Sequence, residues 1–578
     1  MIRETSSQTV KSKIDSITTK LSPPPYLLEG GIVVILAIAT IIINFKMIKD
    51  GLNGNADIKW HLTWIQHFSK QLSEGILYPR WLAGTNYGYG SPTFVFYPPL
   101  AYYFGSFFRL SGLDAQDTLI SLFSLALFLS GLTFYLYGRN KWGRIAALMG
   151  AFAYITVPYI GFDIYWRGGL GSMFVQAWIP LLWLLTEQSL SSNKKSRLGL
   201  AMCWTIIALT HTPSLLICAV IWFPSVLFFL FNKPCKIVLK TILSAVMGLG
   251  IASFYLLPAI LEKRFVNIET MKELHGGFSG NLLGIQELLG ITNNNPISPV
   301  VFHQLSVIIV LIILAFIAER SRFFQPQEIW YWIVIAFSIT FLISSFSRFI
   351  WEASPTLQML QFPWRFLQVL SFIGAVLLGI FVNMLLKLPL GYRFLLSIVI
   401  VGILLMNFRY SYKLSRKYIT IRNPGRGNIE HLQHIKTIID DPYTDKLRDV
   451  REYRPLLKND TSSPPVPVIG QPKISVISGQ SEIEIQQWKS YHRIFSVTAE
   501  KFSKIRVRIY SYPAWNLYIN GKSSPINMSN DGTIELELEP GSYGIELRYQ
   551  KTQAFILGII LSLLSFTALI FFVRMRII

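Results

Sequence analysis

Residues 55–103 read NADIKWHLTWIQHFSKQLSEGILYPRWLAGTNYGYGSPTFVFYPPLAYY, and the fold turns on how this stretch is taken. It follows an apolar run, GGIVVILAIATIIINF (30–45), long enough to begin a membrane span. Yet it carries Asp57, His61, His67 and Arg80 among many Gly, Pro and aromatic residues. Its last part continues into TFVFYPPLAYYFGSFFRLSG (93–112), which is apolar enough to be read as another crossing. Counting it as one would reverse the side on which every later connection lies.

The surroundings are those of a membrane protein. The 578 residues are 52% hydrophobic and 15% charged, with mean hydropathy +0.42, whereas soluble domains carry about 25% charged residues. Apolar runs recur as far as AFILGIILSLLSFTALIFFV (554–573), so the class is polytopic α-helical. The formal charge of +21 then reflects basic cytoplasmic loops rather than a nucleic-acid partner. Cys203, Cys218 and Cys235 lie in or beside apolar runs, so no disulfide framework is expected. The polar lead before the first run exceeds the n-region of a cleaved signal, which makes that run a retained span.

Apolar periodicity places about twelve spans, at 31–47, 116–138, 145–161, 171–190, 198–211, 213–231, 238–261, 304–319, 328–346, 366–386, 393–409 and 554–573. Lys11/Lys13/Lys20, Arg139/Lys141/Arg144, Lys194/Lys195/Arg197, Lys233/Lys236/Lys240, Arg320/Arg322, Lys387/Arg393 and Arg574/Arg576 then all fall on the cytoplasmic side, with both termini. A span at 93–112 would misplace Arg139/Lys141/Arg144 and the clusters that follow it. Pro98–Pro99 would also break it. The segment is expected as an interfacial or re-entrant helix. The expected organisation is a tail at 1–30, a transmembrane domain at 31–409 with a first outer loop at 48–115, a partly helical extracytoplasmic linker at 410–472, a β domain at 473–553, and a final span with a short tail at 554–578. Outer pieces also include 262–303 and 347–365.

From residue 473 the pattern alternates with a period of two: KISVISG, SEIEIQQW, RIFSVTA, KIRVRIYSYP, WNLYING, GTIELELEPG and SYGIELRYQ. Such short strands between Gly, Asn and Pro turns predict a small antiparallel β-sandwich, with a hairpin turn at Asn520–Gly521.

Ionisable groups at the ends of spans are the candidates for chemistry. Asp57 and His61 are four residues apart in a helical pattern, with Trp60, Trp64 and Phe68 on an adjacent stripe. That offers a carboxylate and an imidazole to a membrane-borne substrate, as base or metal ligand; the bland alternative is a helix-start acid beside a solvated His. Arg80 (YPRWL) and Arg365 (QFPWRF) suit a lipid phosphate, or else snorkel beside interfacial Trp. Arg167 is the basic residue of a short Gly-rich loop, IYWRGGLGS. His211 interrupts a hydrophobic hairpin in LTHTPS, and Glu262 ends a span beside Lys263 and Arg264, where local pairing is the plainer account. No Walker A loop, dinucleotide-binding glycine pattern, HExxH or CxxC is present.

Residues 56–103 resemble the opening of bacterial polytopic proteins named for a 6-pyruvoyl-tetrahydropterin synthase-related membrane domain, relatives of the YfhO-like proteins. YWRGGLGSMFVQAWIPL (165–181), LTHTPSLL (209–216), FYLLPAILE (254–262) and LQFPWRFL (360–367) match as well, and the closing β region with its span is similar to the C-terminal part of YfhO-like proteins. The resemblance implies the architecture of GT-C glycosyltransferases in the bacterial inner membrane, with the β domain extracytoplasmic. It implies a polyprenyl-phosphate sugar as donor and an envelope glycan, lipid or protein as acceptor. Asp57 would be the catalytic acid of the first loop, and His61, Arg80, Arg167, His211, Glu262 and Arg365 would contact substrate. One Asp and one His are too few to predict a metal, and a divalent cation bridging Asp57 to phosphate stays open. The chain departs from the family at Ser172, where the pattern carries Glu. A lipid-linked-sugar flippase and a non-catalytic assembly protein are the alternatives.

Overall fold

The computed structural model describes residues 25–52, 57–272, 276–317, 326–418, 450–457, 465 and 467–575. The expected basic clusters at Lys11/Lys13/Lys20 and Arg320/Arg322 and most of the linker 410–472 lie outside them.

All twelve expected spans coincide with helices. These include α1 (Pro25–Asp50), α4 (Ala115–Trp142), α5 (Arg144–Thr156), α6 (Leu170–Leu190), α7 (Lys194–Thr210), α8 (Thr212–Phe228), α9 (Cys235–Ile251) and α10 (Ser253–Leu261). They continue with α11 (Ser298–Ile317), α12 (Pro326–Ile343), α13 (Leu367–Leu385), α14 (Leu390–Tyr418) and α15 (Gln553–Arg574). Among the described residues nine helices are long and apolar enough to cross a bilayer, or ten if α9 and α10 form one span bent by 71°. The other two expected spans fall on α7 and α12, helices of 17 and 18 residues. The expectation of about twelve is thus trimmed to nine or ten by length and composition.

Capping places several helix starts. Asp114 accepts the Asp117 N–H ahead of α4, Asn193 accepts from Lys195 and Ser196 ahead of α7, and Thr552 accepts from Phe555 ahead of α15. At the bend between α9 and α10 the Phe254 N–H donates to the Ser562 hydroxyl of α15 (2.9 Å). Gly558 lets α15 come that close, because a Cβ there would stand 2.6 Å from the Ser253 carbonyl. At the far end of the bundle Glu29 pairs with Arg139 and Arg144 (both 3.1 Å), and Lys141 joins Glu187 (2.9 Å) to Glu328 (2.8 Å).

The segment after the first span is no crossing. It forms α2 (Ile58–Ser73), a compact loop, and α3 (Leu100–Leu110). At 11 residues α3 is roughly 16 Å long, about half a hydrocarbon core. It buries Ala101, Tyr102, Gly105 and Ser106 and exposes Tyr103, Phe104, Phe107 and Leu110. That is the amphipathic form of a surface helix.

The strands are β1 (Ile474–Ser478), β2 (Ser481–Trp488), β3 (His492–Ala499), β4 (Ser503–Tyr510), β5 (Trp515–Ile519), β6 (Lys522–Ser524), β7 (Asn527–Met528), β8 (Thr533–Leu538) and β9 (Gly541–Tyr549). They form two antiparallel sheets, ordered β1-β4-β8-β7 and β2-β3-β9-β5-β6. The β5–β6 hairpin turns through Asn520 (φ 50°) and Gly521 (φ 77°), the two positive-φ positions of a two-residue turn. The sheets' apolar faces share one core with α2 and the first loop, from Trp81 and Phe94 to Tyr510 and Trp515.

Candidate active site

The start of α2 is tied to the loop between α5 and α6. The Asp57 N–H donates to the Arg167 carbonyl (2.9 Å), while the Asp57 carbonyl accepts the N–H groups of Trp60 and His61. Arg167 ends a π-helical turn, Asp163–Arg167, and Gly168 reverses the chain with φ +71°. A Cβ at Gly168 would lie 2.6 Å from Ile58, so a left-handed glycine is what lets the two segments meet. The Asp57 side chain makes no capping bond to its own helix. Its carboxylate instead lies 3.8 Å from Arg167 Nε, with 44% of its side chain exposed. A negative group held at a helix N-terminus, facing a cation and open to solvent, can accept a proton from an incoming ligand.

Arg167 is buried and shared between two acids. Its Nη1 donates to Asp163 Oδ1 (3.0 Å) and to the Ser172 hydroxyl (3.3 Å), and Ser172 donates to Asp163 Oδ2 (2.5 Å). Asp163, fully buried and nine residues before Ser172, is thus the carboxylate that Arg167 and Ser172 meet. The reading of the sequence missed Asp163. Its signal was present in FDIYWR, an Asp and an Arg four residues apart at a span end.

Arg365 is 7% exposed, donates from Nη1 to the Leu360 carbonyl (2.7 Å), and lies over the Phe362 ring (4.9 Å). Among the described residues no carboxylate stands within salt-bridge distance of it. Tyr97 marks the common neighbourhood. Burial and then Asp57 push its hydroxyl pKa upward, while Arg167 and Arg365 pull it down. His61 bonds through Nδ1 to the Tyr102 hydroxyl (2.7 Å). Burial pushes it down to about 4 against the pull of Asp57, so it is neutral near pH 7. His211 caps α8: Nδ1 meets the Ser214 hydroxyl (2.7 Å), which bonds on to Gln368 (2.7 Å). Its ring packs against Gly171, in the first turn of α6 just after Arg167.

Arg80 and Glu262 sit elsewhere, where the β domain meets the membrane helices. Arg80 donates to the Gln550 carbonyl (3.2 Å) and lies over the rings of Phe555 (3.9 Å) and Tyr549 (5.5 Å). Glu262, 2% exposed, accepts from Tyr512 and Thr552. Local pairing with Lys263 or Arg264 is not what holds it: Lys263 faces Glu269 at 3.8 Å. Trp81 packs among Tyr512, Trp515 and Tyr549 beside them, edge-on to Trp515 and tilted to the two tyrosines. Among the described residues no three His, Cys, Asp or Glu side chains are grouped to hold a metal ion. Asp57 and Asp163 both face Arg167.

Residues 94–415 match the profile of a membrane-protein family described as the 6-pyruvoyl-tetrahydropterin synthase related domain. No curated protein sequence matches the chain. Among solved structures, arabinofuranosyltransferase AftD from Mycobacteria aligns with TM-score 0.43 and 13% identity, over 66% of this chain and 27% of that one. The chain thus spans about a quarter of that protein's length. ArnT from Cupriavidus metallidurans bound to undecaprenyl phosphate aligns with TM-score 0.39 and 12% identity, over 72% of this chain and 74% of that one.

Proposed function

The chain belongs to the 6-pyruvoyl-tetrahydropterin synthase related family of membrane proteins, matched over more than half its length, and from that premise we propose that it is a glycosyltransferase of the bacterial inner membrane. Its donor would be a sugar on a polyprenyl phosphate and its acceptor an envelope glycan, lipid or protein on the outer face. The observation that carries this reading is the pairing of a half-exposed carboxylate, Asp57, with the buried Arg167 beside a second buried guanidinium, Arg365, which has no carboxylate within salt-bridge distance among the described residues. A buried cation without a counterion is costly, and an anionic ligand relieves that cost.

In the proposed reaction Asp57 takes the proton of the acceptor hydroxyl as its oxygen attacks the sugar's anomeric carbon. The bond from that carbon to the phosphate oxygen breaks, and the lipid phosphate leaves with the electron pair. Arg365, and the part of Arg167 not engaged by Asp163, balance the charge that grows on the phosphate. Neutral His61 and Tyr102 line the acceptor side by hydrogen bonding. Arg80 and Glu262 serve by holding the β domain over the site rather than by touching substrate.

The test is transfer from synthetic polyprenyl-phosphate sugars by the purified protein in vesicles. Asp57→Asn should abolish transfer at normal protein levels, because the side chain makes no capping bond to lose. Retained transfer would sink the base assignment. Loss of lipid-sugar translocation with transfer intact would favour a flippase.

A further inference from the structure

We propose that Asp163 is a positioning residue that holds Arg167 back from Asp57 and so keeps the Asp57 carboxylate free. A guanidinium offers five N–H donors and pairs most strongly with a carboxylate at direct bonding distance. Arg167 has two carboxylates to choose from. It bonds to the buried one, with Nη1 3.0 Å from Asp163 Oδ1, and leaves the half-exposed one at 3.8 Å, beyond a hydrogen bond. Ser172 fastens the choice, donating to Asp163 Oδ2 (2.5 Å) while receiving Arg167 Nη1 (3.3 Å).

The local backbone has the shape of a clamp. A Cβ on Gly169 would stand 2.5 Å from the Ser172 hydroxyl and 2.6 Å from Asp163 Oδ1, so the glycine is what lets the three side chains close. The Gly169 N–H donates to the Asp163 carbonyl (2.9 Å), fixing the turn from which the carboxylate projects. Without the Asp163 charge, buried Arg167 would have Asp57 as its remaining ion-pair partner. Closing by about 1 Å would then turn a loose contact into a direct charge-assisted bond. Asp57 would be locked in that pair and unable to receive an acceptor proton, a consequence that rests on the transferase reading. The clamp itself does not rest on it.

The test therefore needs no substrate. In a Cys235→Ser background, where Cys203 and Cys218 are buried, Asp57→Cys places a thiol before α2. The pH dependence of its alkylation by iodoacetamide reports its proton affinity. Arg365, His61, Tyr97 and Tyr102 face that position in every variant, and Arg167 faces it wherever it is kept. Asp163→Asn removes a nearby charge as well as releasing Arg167, so it is measured with Arg167 and again with Arg167→Gln. Asp163→Asn should lower the alkylation midpoint by about one pH unit more when Arg167 is present. Ser172→Ala, which removes no charge, should lower it in the same direction by less.

Equal shifts in the two backgrounds overturn the proposal. So does an unmoved midpoint in Ser172→Ala, which decides the matter if Asp163→Asn fails to accumulate. A coupled shift in a protein that transfers no sugar would keep the clamp and sink the transferase reading. Transfer with no coupling would do the reverse.

Discussion

Replacing Glu262 separates a substrate contact from a structural joint. Both carboxylate oxygens are taken, one by the Tyr512 hydroxyl of the β domain and one by Thr552 at the head of α15. The group is 2% exposed and Tyr512 is 3% exposed. Hydrogen bonds to a charged group are worth about 1.5–3 kcal/mol each, so Glu262→Ala should cost roughly 3–6 kcal/mol at this joint. At about 1.4 kcal/mol per decade, the fraction of molecules with the β domain undocked rises by roughly two to four decades. Limited proteolysis in detergent reads that fraction when opening and closing are fast relative to cleavage. The expected result is release of a fragment near residues 465–550, with Glu262→Gln intermediate because one oxygen acceptor remains. Lys263→Ala with Arg264→Ala should cleave like the parent. A parent-like cleavage rate for Glu262→Ala would refute the reasoning, and the residue would return to the list of ligand contacts.

Arg365→Met should raise the KM for a polyprenyl-phosphate sugar by roughly 10- to 100-fold, the worth of one charge-assisted bond. The same change should leave the melting temperature equal or higher, because a buried charge without a carboxylate at salt-bridge distance is removed; a fall of several degrees would count against the anion site. Gly169→Ala drives a methyl group into Ser172 and Asp163, and transfer should drop at least tenfold while the β domain stays docked by proteolysis. Burial pushes both His61 and His67 down to about 4. An unfolded His titrates near about 6.5, so their stabilising effect is full above that pH and is lost as pH falls towards about 4. By pH 5 the loss is about 2 kcal/mol for each. Thermal inactivation should therefore steepen between pH 7 and 5, and His67→Asn should remove about half of the difference.

The helical plan was legible because apolar runs of membrane length leave little choice of structure. Parity of basic clusters excluded a crossing at 93–112, and the structure has an 11-residue surface helix there. The β-strand alternation located both sheets and the turn at Asn520–Gly521. Charge and neighbouring Trp could not divide the arginines. Arg80, Arg167 and Arg365 share a sequence look, yet Arg80 lies on Phe555, which is 475 positions away, and that contact leaves no local mark. Asp163 was overlooked for the opposite reason. Its partners at 167 and 172 are local, but a single acid at the end of an apolar run reads as the start of the polar connection.

The bend between α9 and α10 has a consequence for how the molecule is made. Its open amide is met by Ser562, its terminal acid by Tyr512 and Thr552, and the first loop's Arg80 by Gln550 and Phe555. All of these partners are synthesised after the groups they meet. A ribosome that has delivered the spans through α14 has left the amide of Phe254 and the side chains of Glu262 and Arg80 waiting in the membrane. The β domain and α15 then act as the keystone of an arch whose other stones are already set. Chains halted before residue 550 should be handled by the cell as unfinished membrane proteins, however complete their helices.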